Sequence, residues 1–251
     1  MKTSNHLLRR LTAALLAAVL ALSIALPVFA SDDGDTIYIN SVSDLLSLAR
    51  NCAYDQWSVG KTVILQKDLS LEGMLWEPIP SFSGQFKGNG HTISDLTITG
   101  QYSPAGLFGI VEEQGSIASL SVRGVVSVSD SADTTTGGIV GVNHGTLINC
   151  QFTGVVTGDS EVGGIVGRNE SEGTIDHSTA RAIVTGKSST GGIAGYNLGA
   201  ITGCTNVGSI NTEYPEASLD TDGFTAKMVD YINNKMAAAD NDATNCLLYT
   251  S

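Results

Sequence analysis

The chain has 251 residues and a formal charge of −12, with glycine at 29 positions and aromatic side chains at only 6%. An acidic chain without a basic block repels phosphates, which argues against a nucleic-acid partner. Abundant glycine with few aromatics suits turn-rich β structure better than a helical bundle.

Residues 1–30 read as a signal peptide. Lys2, Arg9 and Arg10 form a positive n-region, an apolar run follows, and Val28-Phe29-Ala30 resembles a small-residue cleavage site. A single membrane anchor is the other reading, but the run is short for a span. Cleavage after Ala30 removes three cations and no anions, taking the charge from −12 to −15. It leaves a mature chain that begins at Ser31 outside the cytoplasm, secreted or at the cell surface, with no membrane span.

Residues 31–60 read as a strand and a helical cap. Thr36-Ile37-Tyr38-Ile39 is a short strand. Ser41-Val42-Ser43-Asp44 is a capping box, and Val42, Leu45, Leu46 and Ala49 share one helix face. A solenoid end needs such a cover. Residues 62–65 and 86–98 then predict early strands, with Gly88-Asn89-Gly90 as a tight turn.

A glycine pentad follows four times, at residues 105–109, 137–141, 163–167 and 191–195, at offsets of 32, 26 and 28 residues. Self-similarity at this period signals a solenoid, propeller or array. Past each pentad, matching apolar residues occur at Ile117, Leu147, Ile175 and Ile201, and three residues on come Leu120, Cys150, Ser178 and Cys204. Period-two positions follow at Val122, Phe152, Ala180 and Asn206, and again at Val126, Val156, Val184 and Ile210. Alternation of this kind is strand. Each unit is expected to hold a short strand at the pentad, a turn and a second strand of about six residues. No unit buries its apolar side alone, whereas stacked units share a continuous core. The expected fold is an all-β solenoid over residues 61–211, a right-handed parallel β-helix. A propeller blade usually needs 40–50 residues and four strands.

The glycines Gly106, Gly109, Gly138, Gly141, Gly164, Gly167, Gly192 and Gly195 are read as structural. So are Asn143, Asn169 and Asn197, which occupy one position after successive pentads and could bond amide to amide along the axis. Val111 stands there in the first unit, so the ladder should begin at the second. The sequon at Asn169 falls inside this register and carries no glycosylation reading.

The pentads AGLFG, GGIVG, GGIVG and GGIAG resemble the GLUG-motif repeat of bacterial surface proteins, as do the upstream stretches DLSLEGMLWEPI and FSGQFKGNGHTISDLTITG. The resemblance covers roughly residues 36–211. It implies an extracellular β-helical region of adhesin-like proteins. Similar repeats accompany the catalytic part of IgA-cleaving metallopeptidases. The resemblance carries over no catalytic residue. The chain departs from the pattern at Ala182, where glycine is expected.

Catalytic constellations are not assembled by the sequence. His91, His144 and His177 occupy different repeat positions, and no HExxH occurs. Arg123, Arg168 and Arg181 are assigned to different registers. Trp76 is read as packing, and exposed aromatics for stacking sugars are few. Cys150 and Cys204 lie two coils apart, about 9–10 Å, beyond the roughly 7 Å a disulfide tolerates. They are expected to be reduced, and Cys52 has no evident partner. Asp133 and Asp159 precede their glycine pairs by the same spacing, with Lys187 next in the row. That makes Asp133 and Asp159 a calcium candidate, against a solvated loop row.

Residues 212–245 read as a linker and an amphipathic helix. Phe224, Met228, Tyr231, Ile232 and Met236 fall at helical spacing after Asp222 and Gly223. Residues 246–251, CLLYTS, match one reading frame of a transposase adapter and read as a sequencing artefact; the protein would then continue past Asn245. The expected function is that of an exported, non-catalytic β-helical region that presents a binding or adhesion surface to an extracellular protein or glycan, without a cofactor. The alternatives are the non-catalytic N-terminal part of a secreted zinc metallopeptidase and, behind it, a carbohydrate-active β-helix enzyme.

Overall fold

The computed structural model describes residues 35–54, 56–128 and 134–211. The signal peptide, its cleavage site, Asp133, the helix expected after Asp222 and the 246–251 tail lie outside the described residues. Within them the chain is a parallel β-solenoid of four sheets, in which every strand pairs in parallel with its equivalent one coil away.

Seven short strands, Thr36–Ile39, Thr62–Leu65, Gln85–Lys87, Ser116–Ala118, Thr146–Ile148, Thr174–Asp176 and Ala200–Thr202, form one face of the stack. A long-strand sheet runs from Leu69–Ser70 through Thr92–Gly100, Ser121–Val128, Gln151–Thr157 and Thr179–Thr185 to the last coil. A pentad sheet holds Ile79–Phe82, Phe108–Val111, Val140–Asn143, Val166–Asn169 and Ala194–Asn197. A narrow fourth sheet pairs Thr136–Gly137, Val162–Gly163 and Thr190–Gly191.

The pentad alignment gives the coil register. Val140 sits beside Phe108 and Val166, and Val166 beside Ala194. Leu147 lies between Ile117 and Ile175, and Phe152 between Val122 and Ala180. The strand content of a unit is corrected, however: a repeat coil has four strands and not two. Gly137 ends a two-residue strand, Gly138 and Ile139 turn a corner, and Val140 opens the next strand. The pentad is therefore a bend. A Cβ on Gly138 would collide with the Phe152 ring and stand 2.5 Å from the Gly164 carbonyl oxygen of the next coil. A Cβ on Gly167 would stand 2.6 Å from the backbone nitrogen of Thr136 in the coil before. Close coil-on-coil approach requires glycine at both places.

Helix α1, Val42–Asn51, has Ser41 as its N-cap. The Ser41 hydroxyl accepts from the Asp44 N–H at 3.2 Å, while the Asp44 carboxylate accepts from the Asn40 N–H at 2.9 Å. The reciprocal bond thus reaches one residue further back than a standard capping box, and the Asn40 N–H, followed by the Ser41 side chain, holds the Asp44 carboxyl below its usual range. Leu45 and Leu48 are the buried residues of α1, with Val42, Leu46 and Ala49 half-buried beside them. The inward face is thus rotated toward Leu48 from the one expected.

The core is one continuous column. Phe108 lies 5.4 Å from both Phe82 and Phe86, ring centroid to centroid, and Trp76 donates its Nε1–H to the Leu107 carbonyl at 3.1 Å. Later coils fill the same space with Ile139, Val140, Ile165, Ile175 and Val184.

Candidate functional site: stacked polar columns

Stacking turns each repeat position into a column along the axis, so a residue's register decides which side chains it meets. Three columns run through the coils that start their long strands at Ser121, Gln151 and Thr179. Ser121, Gln151 and Thr179 form the first column and Arg123, Thr153 and Arg181 the second. Ser119, Asn149 and His177 form the third, at the corner just before the long strands. All three have left-handed φ, at 54°, 51° and 45°. Each donates its N–H to the next coil: Ser119 to Ile148, Asn149 to Asp176 and His177 to Thr202. The Asn149 amide reaches the Ser119 hydroxyl at 3.4 Å.

Ser119, Ser121, Asn149, Gln151, His177 and Thr179 line an open groove of about 140 Å³. It offers hydroxyls, amides and an imidazole whose Nδ1 stands 2.8 Å from the Asp176 carboxylate. This chemistry suits hydrogen bonding to a polar, extended ligand.

The register of the arginines is corrected. Arg123 and Arg181 share a column, separated by Thr153, because both follow the aligned positions Val122 and Ala180. Arg168 belongs to the pentad sheet. It donates to Glu170 at 2.6 Å and Glu161 at 2.7 Å, and its guanidinium carbon stands 4.8 Å from the Tyr196 ring centre. Those two carboxylates, Glu170 foremost, raise its pKa. The sequence reading missed the Arg123–Thr153–Arg181 and Ser119–Asn149–His177 columns. The signal was present: one residue after each of Val122, Phe152 and Ala180 gives the first, and one before each of Leu120, Cys150 and Ser178 gives the second.

The asparagine column lies at the pentad sheet. Asn143 Nδ2 donates to Asn169 Oδ1 at 2.7 Å, and Asn169 Nδ2 to Asn197 Oδ1 at 2.8 Å. The same amides donate to the Gly145, Gly173 and Gly199 carbonyls. Asn143 and Asn169 are buried, and Asn197 is exposed. Val111 pairs with Asn143 one coil before and starts no ladder.

His91 Nδ1 stands 3.2 Å from Asp68, whose carboxyl is held low first by the Thr92 N–H and then by His91. Lys187 Nζ lies 2.5 Å from Asp159, so this carboxylate already has a cation beside it. Among the described residues no group of three His, Cys, Asp or Glu side chains is close enough to share a metal ion. Cys52, Cys150 and Cys204 are free thiols. Burial pushes Cys52 and Cys150 up to about 11. Ala182 occupies the column of Gly124 and Gly154, is 2% exposed, and lacks the positive φ of those glycines.

The family model described as the GLUG motif matches residues 158–185. The matched segment is similar to a GLUG motif. It spans the Val162–Gly163, Val166–Asn169, Thr174–Asp176 and Thr179–Thr185 strands, one complete coil of the stack. Halomucin of Haloquadratum walsbyi is 31% identical over 155 residues, covering 57% of this chain and 2% of halomucin. The "Putative Gly-rich membrane protein" of Evansella cellulosilytica is 29% identical over 137 residues, covering 39% of this chain and 16% of that protein. The chain therefore spans a small fraction of the curated relatives it matches. A solved structure described as a "putative immunoglobulin A1 protease" from Bacteroides ovatus is 16% identical, with a TM-score of 0.42, over 73% of this chain and 79% of that one.

Proposed function

We propose that this chain is the exported, non-catalytic solenoid of a bacterial cell-surface or secreted protein. Its long-strand face presents a binding surface to an extended extracellular glycan or protein. The observation that carries the reading is the alignment of three polar columns, Ser119–Asn149–His177, Ser121–Gln151–Thr179 and Arg123–Thr153–Arg181, on successive coils. Columns repeat at about 4.8 Å per coil, so an extended ligand with spaced polar groups meets the same chemistry at each step. The two arginine guanidiniums favour anionic groups within an otherwise acidic chain. Export rests on the apolar N-terminal run, with cleavage after Ala30, and agrees with a relative named as a membrane protein. Helix α1 acts as the N-terminal cap, holding Leu45 and Leu48 over the first coils. The right-handed wind follows the general handedness of parallel crossovers.

The test is to express the full chain with its own N-terminus in a bacterial host. The exterior fraction is then applied to panels of anionic glycans, neutral glycans and extracellular matrix proteins. Recovery outside the cell is expected, with binding that falls at least about tenfold in the triple variant Arg123→Glu, Gln151→Ala, Arg181→Glu, as expected for loss of about 1.4 kcal/mol or more. Retention inside the cell, or binding indifferent to the triple change, overturns the reading.

A further inference from the structure

One column carries side chains where the fold needs none. Ser119, Asn149, His177 and Gly203 occupy the same corner in successive coils, between pairs that fix the register on either side. All four are left-handed, with φ of 54°, 51°, 45° and 62°. Glycine adopts this conformation without strain, asparagine and histidine are tolerated there, and serine is not favoured. Gly203 shows that a bare glycine satisfies the turn. The three coils before it nevertheless place a hydroxyl, a carboxamide and an imidazole at the corner. Asn149 and His177 are exposed and Ser119 is half-buried, so the core does not explain them. Backbone strain of this kind collects at ligand-contacting positions. The His177 ring is also positioned. A Cβ on Gly203 would stand 3.0–3.2 Å from its Nε2, Cδ2 and Cε1, so the ring rests on that glycine. With Nδ1 facing Asp176 at 2.8 Å, Nε2 is the nitrogen offered to a ligand.

We propose that this corner groove is a glycan subsite, in which Ser119, Asn149 and His177 hydrogen-bond the hydroxyls of an uncharged stretch of polysaccharide laid along the stack. The inference rests on the proposed binding face and chooses between its two ligand classes. Among the described residues that line the groove there is no lysine, arginine or carboxylate, so no permanent cation there neutralises a phosphate or sulfate. Arg123 and Arg181 belong to the neighbouring column. A peptide fits poorly on two counts. Peptide recognition uses apolar pockets for anchoring side chains or an open strand edge. The apolar lining group, Cys150, is 2% exposed. The N–H groups of Ser119, Asn149 and His177 are already bonded to the next coil. Sugar hydroxyls both donate and accept, as do the Ser119 hydroxyl and the Asn149 carboxamide. At about 140 Å³ the groove is well under the roughly 300–1,000 Å³ of a pocket that engulfs a drug-sized ligand. It is suited instead to the projecting hydroxyls of a chain that runs past it, coil by coil at about 4.8 Å.

The test applies the full chain to immobilised β-glucan, galactomannan and dextran, with polyglutamate and casein as comparators that carry no sugar. Binding isotherms and urea unfolding are measured for the native chain and for the variant Ser119→Gly, His177→Gly. The native chain is expected to bind at least one of the three polysaccharides. The glycine pair should weaken that binding about tenfold, the scale of losing two hydrogen bonds. Its urea midpoint should be unchanged or raised, because glycine relieves the left-handed backbone. His177→Asn, which keeps a polar group and tolerates the same φ, should retain more binding than His177→Gly. The subsite is overturned if the native chain binds none of the three polysaccharides, or binds polyglutamate or casein alone. It is overturned equally if the glycine pair binds as the native chain does, or if its urea midpoint falls, which would make the column structural. The two readings fail separately. Loss of binding in Arg123→Glu, Gln151→Ala, Arg181→Glu with none in the glycine pair removes the corner subsite and keeps the binding face. A native chain that binds neither glycan nor protein removes both.

Discussion

At the scale of single residues, burial separates side chains of identical chemistry. Asn169 accepts from Asn143 and donates to Gly173 and Asn197 inside the stack, while Asn197 occupies the same register in the open. Replacing Asn169 by alanine leaves one N–H of the buried Asn143 amide without its acceptor, whereas the Gly173 carbonyl keeps the Ala200 N–H and the Asn143 amide keeps the Gly145 carbonyl. Each orphaned buried group costs about 1–3 kcal/mol. We therefore expect Asn169→Ala to lower stability by about 1–3 kcal/mol, and Asn197→Ala by less than about 1 kcal/mol. Urea unfolding of both variants checks this, and equal losses would refute a buried ladder. The three asparagines could be aligned from spacing, and so could the first coil without one. Spacing could not show that two are dry and one is wet, because that depends on what covers the last coil.

At the scale of the element, the pentad shows how a motif was legible while its structure was misread. Four residues of GGIVG fit a short strand, and period-two reasoning favours one. The structure instead breaks it at Gly138 and Ile139, since the corner lets one coil rest on the next with glycine against glycine. Gly138→Ala places a methyl group into the Phe152 ring and the Gly164 carbonyl. Overpacking of this sort costs about 1–3 kcal/mol. We expect a loss in that range for Gly138→Ala, and its partial recovery when Phe152→Leu is added, because the ring is one of the two obstacles. A double-mutant cycle measures the coupling; simple additivity would show that the clash lies elsewhere. Helix α1 teaches a smaller lesson. Its cap was readable from Ser41 and Asp44, but the buried face turned toward Leu48 because the first coils, not the helix, fix which side is covered.

At the scale of the whole molecule, the stack ties distant residues to one folding equilibrium, and pH reports it. Cys52 at the end of α1 and Cys150 in mid-stack both have thiols pushed up to about 11 by burial. The unfolded chain releases those protons near pH 9. Below that pH both states hold the protons and stability is unaffected. Between about 9 and about 11 the unfolded state binds fewer protons, so stability falls as pH rises. The slope is about 1.4 kcal/mol per pH unit for each thiol. The variant Cys150→Ala should unfold more easily at neutral pH yet show a shallower alkaline limb. Denaturant titrations at pH 8, 9 and 10, about the window just named, give that slope, and an unchanged slope would mean that the Cys150 thiol is not held protonated.

The sequence by itself determined the parallel stacking, the offsets of 32, 26 and 28 residues and the composition of each inward column. Those follow from local periodicity: equivalent residues one repeat apart must pair once the coils stack. Only the tertiary structure decided that a repeat coil has four strands, that a polar groove opens beside Asn149 and His177, and that the last coil is less buried than those before it among the described residues. These depend on contacts lateral to the chain, where the side chain one coil away sets burial and charge, and a repeat read along its own length does not contain them.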